Sequence, residues 1–101
     1  MREITDEIKE ELKTLVYEYF AEECEVEVEE LTSDVHVIKT LGGDSLMYIE
    51  LLELIKKKYN LNVQLQAIGK YLIKNRPETI QKVIDLSYLL YQHENDIVNL
   101  A

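Results

Sequence analysis

The sequence predicts an all-α protein, a bundle of four helices with a long loop between the first two. Apolar residues recur at steps of three and four along most of the chain, as they do on one face of an amphipathic helix. Three glycines and one proline are too few for the many tight turns of a sheet protein. With 101 residues, 47% of them hydrophobic, the chain can close one compact core, so we expect a single domain over residues 1–101.

The first helix is predicted from Thr5 to Glu22. Thr5 is a suitable N-cap, and the carboxylates of Asp6 and Glu7 favour the positive end of the helix dipole. The apolar stripe that should face the core consists of Ile8, Leu12, Leu15, Val16, Tyr19 and Phe20.

A long loop is predicted between Glu22 and the glycines at 42 and 43. Val26 and Val28 alternate with glutamate, which is also the pattern of a short strand, but no partner strand follows. The apolar residues expected to anchor the loop on the core are Val28, Leu31, Val35, Ile38 and Leu41. An ordered loop of this length is uncommon unless it serves a function.

The second helix is predicted to begin at Ser45 and to end at Asn60. Asp44 can cap it through its carboxylate, and lysines 56–58 lie in the last turns, where cations complement the dipole. The expected core stripe is Leu46, Ile49, Leu52, Ile55 and Tyr59.

Two further helices complete the predicted bundle. A short third helix is expected from Gln66 to Lys74. Pro77 suits the first turn of an extended last helix that reaches His93. The apolar residues of this last helix cover more than one face and are Ile80, Val83, Ile84, Leu86, Leu89, Leu90 and Tyr91. The tail from Glu94 to Ala101 is expected to continue weakly and to fray.

Charge and composition exclude several classes of function. The formal net charge of -9 would repel nucleic-acid phosphates and anionic membrane surfaces, so we expect partners with basic patches. No apolar run reaches the length of a membrane span, and the first ten residues are polar and acidic, unlike a secretory signal. These features predict a soluble, cytoplasmic protein that binds no nucleic acid and does not insert into membranes.

Residues for metal binding or catalysis are few. Cys24 is the only cysteine, so neither an internal disulfide nor a cysteine metal cluster can form. His36 has no second ligand at a helical step, and His93 resembles a polar helix end. We therefore expect no metal site and no catalytic residue in this chain.

The most informative stretch is LGGDSL, residues 41–46, which places Ser45 at a helix start. Asp-Ser at this position has an ordinary explanation, since both residues favour helix N-termini. The alternative is a functional hydroxyl at the positive end of the dipole, beside flexible glycines that let another protein's active site approach. Such a position can hold a phosphodiester.

The stretch LGGDSL followed by MYIELLELIKKKYNLNV resembles the attachment motif and second helix of the acyl carrier proteins and the related peptidyl carrier domains. PETIQKVIDLSYLL resembles the last helix of the same family. The resemblance implies that a phosphopantetheinyl transferase uses coenzyme A and magnesium to join 4'-phosphopantetheine to Ser45. The thiol of this arm would carry an acyl group as a thioester, so the chain would be a carrier and not an enzyme.

The resemblance also implies roles for the neighbours of Ser45. Gly42 and Gly43 would admit the transferase. Asp44 would cap the helix and offer an acidic contact, and Leu46 would tuck under the arm into the core. The residues expected to recognise partners are Gly43, Asp44, Leu46, Met47, Glu50 and Glu53. The implied partners are acyl-loading enzymes and synthases or acyltransferases with basic docking patches, and the carrier itself is expected to be a monomer.

The chain departs from the family pattern in three places. Its second helix has Met47 and Tyr48 after the serine and three lysines near its end, which either change partner recognition or form a solvated helix end. The connection around Ala67 to Asn75 is longer than usual. The last helix extends through residues 88–91, either as additional core, as a pocket for an unusual acyl chain, or as a surface for a partner or self-association.

Two classes of function follow. The first is a free-standing acyl carrier for fatty-acid, polyketide or specialised lipid synthesis, with an aminoacyl or peptidyl carrier as the alternative. The acidic balance of the chain favours acyl groups. The second class is a helical adaptor with the carrier fold and no arm. Ser45→Ala discriminates between the classes, because only a carrier needs the hydroxyl.

Overall fold

The computed structural model describes residues 2–100 and confirms the predicted all-α fold. Its helices in chain order are α1 (Asp6–Glu23), α2 (Ser45–Tyr59), α3 (Leu65–Lys74) and α4 (Ile80–His93). Two 3-10 helices, Val28–Glu30 and Glu94–Leu100, lie in the first loop and after α4. No helix within the described residues is long and apolar enough to cross a membrane.

Capping groups set the ends of α1 and α2 close to the predicted positions. Thr5 is the N-cap of α1, and its Oγ1 accepts a hydrogen bond from the amide of Ile8 at 3.2 Å. Asn60 ends α2 in the left-handed region, with φ at 52°, and its amide donates to carbonyls of the last turn. Both boundaries were predictable because the residues that cap a helix are adjacent to it in sequence.

The last helix begins later than predicted. The prediction placed Pro77 in its first turn, but α4 begins at Ile80 with Thr79 as the N-cap. The Oγ1 atom of Thr79 accepts a hydrogen bond from the amide of Lys82 at 3.2 Å, whereas Pro77 is buried in the preceding connection. The start of α4 is thus set by the Thr79 cap and not by Pro77.

Backbone hydrogen bonds tie the long loop to the start of α4. The amide-to-carbonyl pairs are Val37 to Glu78 (2.9 Å), Ile80 to Val35 (3.0 Å) and Gln81 to Ser33 (2.8 Å). Leu31 is buried, as predicted, and Val37 is fully buried although it was not among the predicted anchors. The prediction is wrong for Val28, which is 41% exposed because its 3-10 turn lies on the surface. The loop is therefore ordered by α4 and not by a partner strand.

The buried face of α2 differs from the predicted stripe. The structure buries Tyr48, Leu51, Leu52 and Ile55, and it leaves Leu46 63% exposed. Two residues of an α-helix correspond to a rotation of about 200°, so a helix that buries Tyr48 turns Leu46 towards solvent. The expectation that Leu46 enters the core is therefore wrong.

The core fills the space between α1, α2 and α4, with α3 packed against α2. Its fully buried side chains include Leu12, Val16, Phe20, Ile55, Ile68, Ile80, Ile84 and Leu90. The end of α4 belongs to this core: Tyr91 is 7% exposed, and its ring meets the ring of Tyr59 edge-on with centroids 5.3 Å apart. Of the three alternatives for the extension of the last helix, additional core is thus confirmed for Leu90 and Tyr91.

The tail after α4 packs on the bundle. Residues Glu94–Leu100 form a 3-10 helix that contacts α3 and α4, and Ile97 is only 1% exposed. The amide of Asn95 donates to the carbonyl of Asn62 at 2.9 Å, which ties the tail to the connection before α3. The prediction of a frayed end is wrong for this segment because Ile97 supplies a core contact; Ala101 lies outside the described residues.

The packing of the tail can be tested with Ile97→Ala. We expect a loss of about 2–4 kcal/mol in the free energy of unfolding, because removal of a buried aliphatic side chain leaves a cavity. Leu100→Ala is the matched control in the same 3-10 helix, and with Leu100 at 44% exposure we expect a loss of about 0.5 kcal/mol. Urea unfolding measures both. Equal, small losses would show that the tail does not contribute to the core.

Candidate functional site

Ser45 is the first residue of α2, as predicted, and it is exposed. Asp44 is the N-cap of this helix: its Oδ1 accepts hydrogen bonds from the amides of Leu46 at 3.0 Å and Met47 at 3.3 Å. A helix start leaves its first amides without intrahelical partners, and this carboxylate satisfies two of them. The cap therefore fixes the position from which the Ser45 hydroxyl projects.

The two positions before the cap require glycine for different structural reasons. Gly42 has φ at +73°, a backbone conformation that side chains with a Cβ rarely adopt. A Cβ on Gly43 would lie 2.9 Å from Sδ of Met47 and 3.0 Å from Cγ1 of Val37, so only glycine fits without displacement. The turn and the close packing of α2 on the loop both require this pair.

An arginine from a distant part of the chain meets the serine. Nη2 of Arg76 donates a hydrogen bond to Oγ of Ser45 at 2.6 Å, across a separation of 31 residues. Arg76 lies in the connection between α3 and α4, and no salt bridge joins it to a carboxylate of residues 2–100. Sequence reasoning missed this contact because it depends on how α3 packs beside α2.

A groove of about 470 Å³ opens beside Ser45, between α2 and α3. It is lined by Ser45, Tyr48, Ile49, Gly69, Leu72, Ile73 and Arg76. Tyr48 lines the groove, and its hydroxyl is buried without a hydrogen-bond partner among the described residues. Burial raises the pKa of Tyr48, so its phenol is neutral and carries its proton at physiological pH. The volume falls within the range of small-molecule sites.

The predicted recognition residues are largely engaged within the chain. Glu50 accepts a hydrogen bond from the hydroxyl of Tyr19 at 3.0 Å, and burial together with this bond raises the pKa of Tyr19. Glu53 lies 3.7 Å from Nζ of Lys57. Leu46 is the exposed apolar residue of the set, whereas Asp44 serves the cap. The three acidic side chains thus each have a partner within the chain, and they do not form one acidic patch of unpaired carboxylates.

Other parts of the molecule offer weaker candidates. A groove of about 460 Å³ near the tail is lined by polar residues, but several of these already bind each other, such as Glu94, whose Oε2 accepts from the amide of Asn62 at 2.5 Å. Within residues 2–100, no group of three or more His, Cys, Asp or Glu side chains could hold a metal ion. The Ser45 groove is therefore the candidate site.

The cap can be tested with two substitutions of Asp44. We expect Asp44→Ala to lower the free energy of unfolding by about 0.5–2 kcal/mol, because two amides lose their acceptor. Asp44→Asn should stay close to the parent, since asparagine caps a helix about as well as aspartate. Urea unfolding measures both variants. A full loss in the asparagine variant would mean that the charge, and not the hydrogen bonds, stabilises the helix start.

Comparison with known proteins agrees with this geometry. Residues 14–71 match the family described as "Phosphopantetheine attachment site", and this span contains Asp44 and Ser45. The chain is 57% identical, over all of its 101 residues and 98% of the other protein, to the "Acyl carrier protein homolog" of Clostridium acetobutylicum. The matched domain takes 4'-phosphopantetheine as its covalent cofactor. The chain therefore belongs to the acyl carrier protein family.

Proposed function

We propose that this chain is an acyl carrier, one domain over residues 1–101, that bears its 4'-phosphopantetheine arm on Ser45. The observation that carries the proposal is the exposed Ser45 hydroxyl at the capped start of α2, within the residues that match the attachment family. The arm's terminal thiol supplies the chemistry, since it holds an acyl group as a thioester. The work of the chain itself is to present the arm.

The surroundings of Ser45 fit a phosphodiester. The start of α2 provides the positive end of a helix dipole, which favours a negative group. Arg76 adds a full positive charge within hydrogen-bond distance of the hydroxyl. The net charge of -9 opposes an anion elsewhere on the chain, but these two features favour one at this position.

The attachment step uses only the hydroxyl of this chain. Oγ of Ser45 would attack the phosphorus of coenzyme A that bears the pantetheine. The new Oγ–P bond replaces the P–O bond of the pyrophosphate, the nucleotide part of coenzyme A leaves, and the hydroxyl proton passes to a base of the transferase. Exposure of Ser45 supports this step because another protein must reach the oxygen.

The groove favours an acyl cargo over an aminoacyl cargo. Ile49, Leu72 and Ile73 give it a mostly apolar lining, in which a charged amine would lose its hydration without an acidic partner. The relative's name, "Acyl carrier protein homolog", supports the same choice. We therefore assign fatty-acid, polyketide or specialised lipid synthesis as the setting, with an aminoacyl or peptidyl carrier as the alternative.

The proposed partners are a phosphopantetheinyl transferase and acyl-loading, synthase or acyltransferase enzymes with basic docking patches. The net charge of -9 supports complementary attraction, and Leu46, at 63% exposure, offers an apolar contact directly after the serine. We propose that Met47, Glu50 and Glu53, which lie near Leu46 on α2, also contact the partner. We place the carrier in the cytoplasm as a monomer.

Intact-mass measurement tests the attachment site. After incubation with a broad-specificity transferase, magnesium and coenzyme A, the parent should gain the mass of one phosphopantetheine, and Ser45→Ala should gain none. Ser33→Ala, which removes an exposed serine of the loop, is the control and should be modified like the parent. An unmodified folded parent with two different transferases, or a modified Ser45→Ala, would contradict the proposal.

The role of the groove can be tested through Gly69. A Cβ at Gly69 meets no atom within 4 Å, so Gly69→Ala should stabilise the unmodified protein by about 0.5–1 kcal/mol through helix propensity while placing a methyl group in the groove. In the parent, we expect the melting temperature to rise with acyl-chain length. In Gly69→Ala the rise should stop at shorter chains. Melting temperatures that do not depend on acyl-chain length in either protein would show that the acyl chain does not bind in the groove.

A further inference from the structure

The positive charge beside Ser45 is not neutralised within the described chain. Arg76 donates to a neutral hydroxyl at 2.6 Å, and no carboxylate of residues 2–100 forms a salt bridge with it. The chain has 20 acidic and 11 basic side chains, so carboxylates are plentiful elsewhere. An arginine held at this oxygen without a carboxylate partner is available to an anion that is attached to the same oxygen.

A second polar group of the same groove also lacks a partner. Tyr48 lies one helical turn after Ser45 and is only 2% exposed, yet its hydroxyl makes no hydrogen bond within residues 2–100. Buried hydroxyls nearly always have a partner, because the loss of hydration is otherwise not compensated. Since the phenol keeps its proton, it remains a donor for an oxygen that comes within hydrogen-bond distance of it.

We propose that Arg76 binds the phosphodiester of the arm and that Tyr48 donates a hydrogen bond to an oxygen of its pantetheine portion. This inference rests on the proposed function, in which Ser45 bears the arm. Once Ser45 is modified, its Oγ becomes the bridging oxygen of the phosphodiester. A guanidinium 2.6 Å from that atom is within reach of the non-bridging oxygens, which its planar set of donors is suited to bind.

The two contacts define a direction for the arm. Arg76 approaches Ser45 from the connection after α3, and Tyr48 lines the groove between α2 and α3. An arm that satisfies both groups therefore lies along the groove and not over the loop before α2. A partner enzyme that draws the arm into its own active site must replace both contacts, and a basic patch can replace the one with phosphate.

Arg76→Gln is the first test, on full-length protein whose modification is verified by intact mass. In the parent, attachment of the arm should shift the side-chain Nε–H signal of Arg76 in NMR spectra. The ³¹P signal of the phosphodiester should differ between parent and Arg76→Gln. Lys74→Gln removes the same charge two residues away and should leave the ³¹P signal at the parent's position. If the Arg76 signal does not shift, or both variants move the ³¹P signal equally, Arg76 does not bind the phosphate.

A thermal cycle separates a contact with the arm from a structural role. The change in melting temperature on modification should be lower in Arg76→Gln than in Lys74→Gln by about 2–4 °C, as expected for an exposed ion pair in a chain of this size. In Tyr48→Phe the unmodified protein should melt at or above the parent, since the lost hydroxyl has no partner, while the modified protein should lose part of the parent's gain. Identical changes on modification in all four proteins would overturn the inference.

The outcomes also distinguish this inference from the function on which it rests. A parent that gains no arm overturns both. A parent that gains the arm on Ser45, with Arg76→Gln and Tyr48→Phe behaving like the control, overturns only the contacts proposed for these two residues.

Discussion

The geometry of the site depends on the backbone of Val37. Its amide donates to the carbonyl of Glu78 at 2.9 Å, and its carbonyl accepts from the amide of Gly43 at 3.1 Å. Its side chain is fully buried and lies against Gly43. One loop residue thus joins the segment that precedes Ser45 to the segment that contains Arg76. Together with the bonds from Ile80 to Val35 and from Gln81 to Ser33, this joint holds the two segments side by side.

Burial and exposure along α2 follow from the same arrangement. Because Tyr48 fills the space between α2 and its neighbours, Leu46 must face solvent, directly beside Ser45. In the first turns of α2, Tyr48 therefore faces the core, Ile49 lines the groove, and Leu46 is exposed to solvent. Glu50 accepts a hydrogen bond from Tyr19, and Glu53 forms a salt bridge with Lys57. Because these contacts are exposed, each contributes little to the stability of the fold, and the cations of a partner can replace them.

The helix boundaries at Asp44, Ser45 and Asn60 were predictable from the sequence, because capping depends on residues adjacent in the chain. The burial of Tyr48 and the exposure of Leu46 were not, since the rotation of a helix that is apolar on several sides is decided by its neighbours. The contact between Arg76 and Ser45 left no local signal at all. What a site gains from a distant segment can be identified only once the packing of that segment is known.

The proposed carrier must hold its arm and also release it. With a net charge of -9, the surface as a whole repels a phosphodiester, but this repulsion comes from many charges and is screened over about 8–10 Å in physiological salt. A single arginine in direct contact is screened less and acts only where the arm begins. Its exposure keeps the interaction weak enough for a basic partner to compete. An acidic carrier with one cation at the base of its arm can therefore retain the arm when alone and yield it when docked.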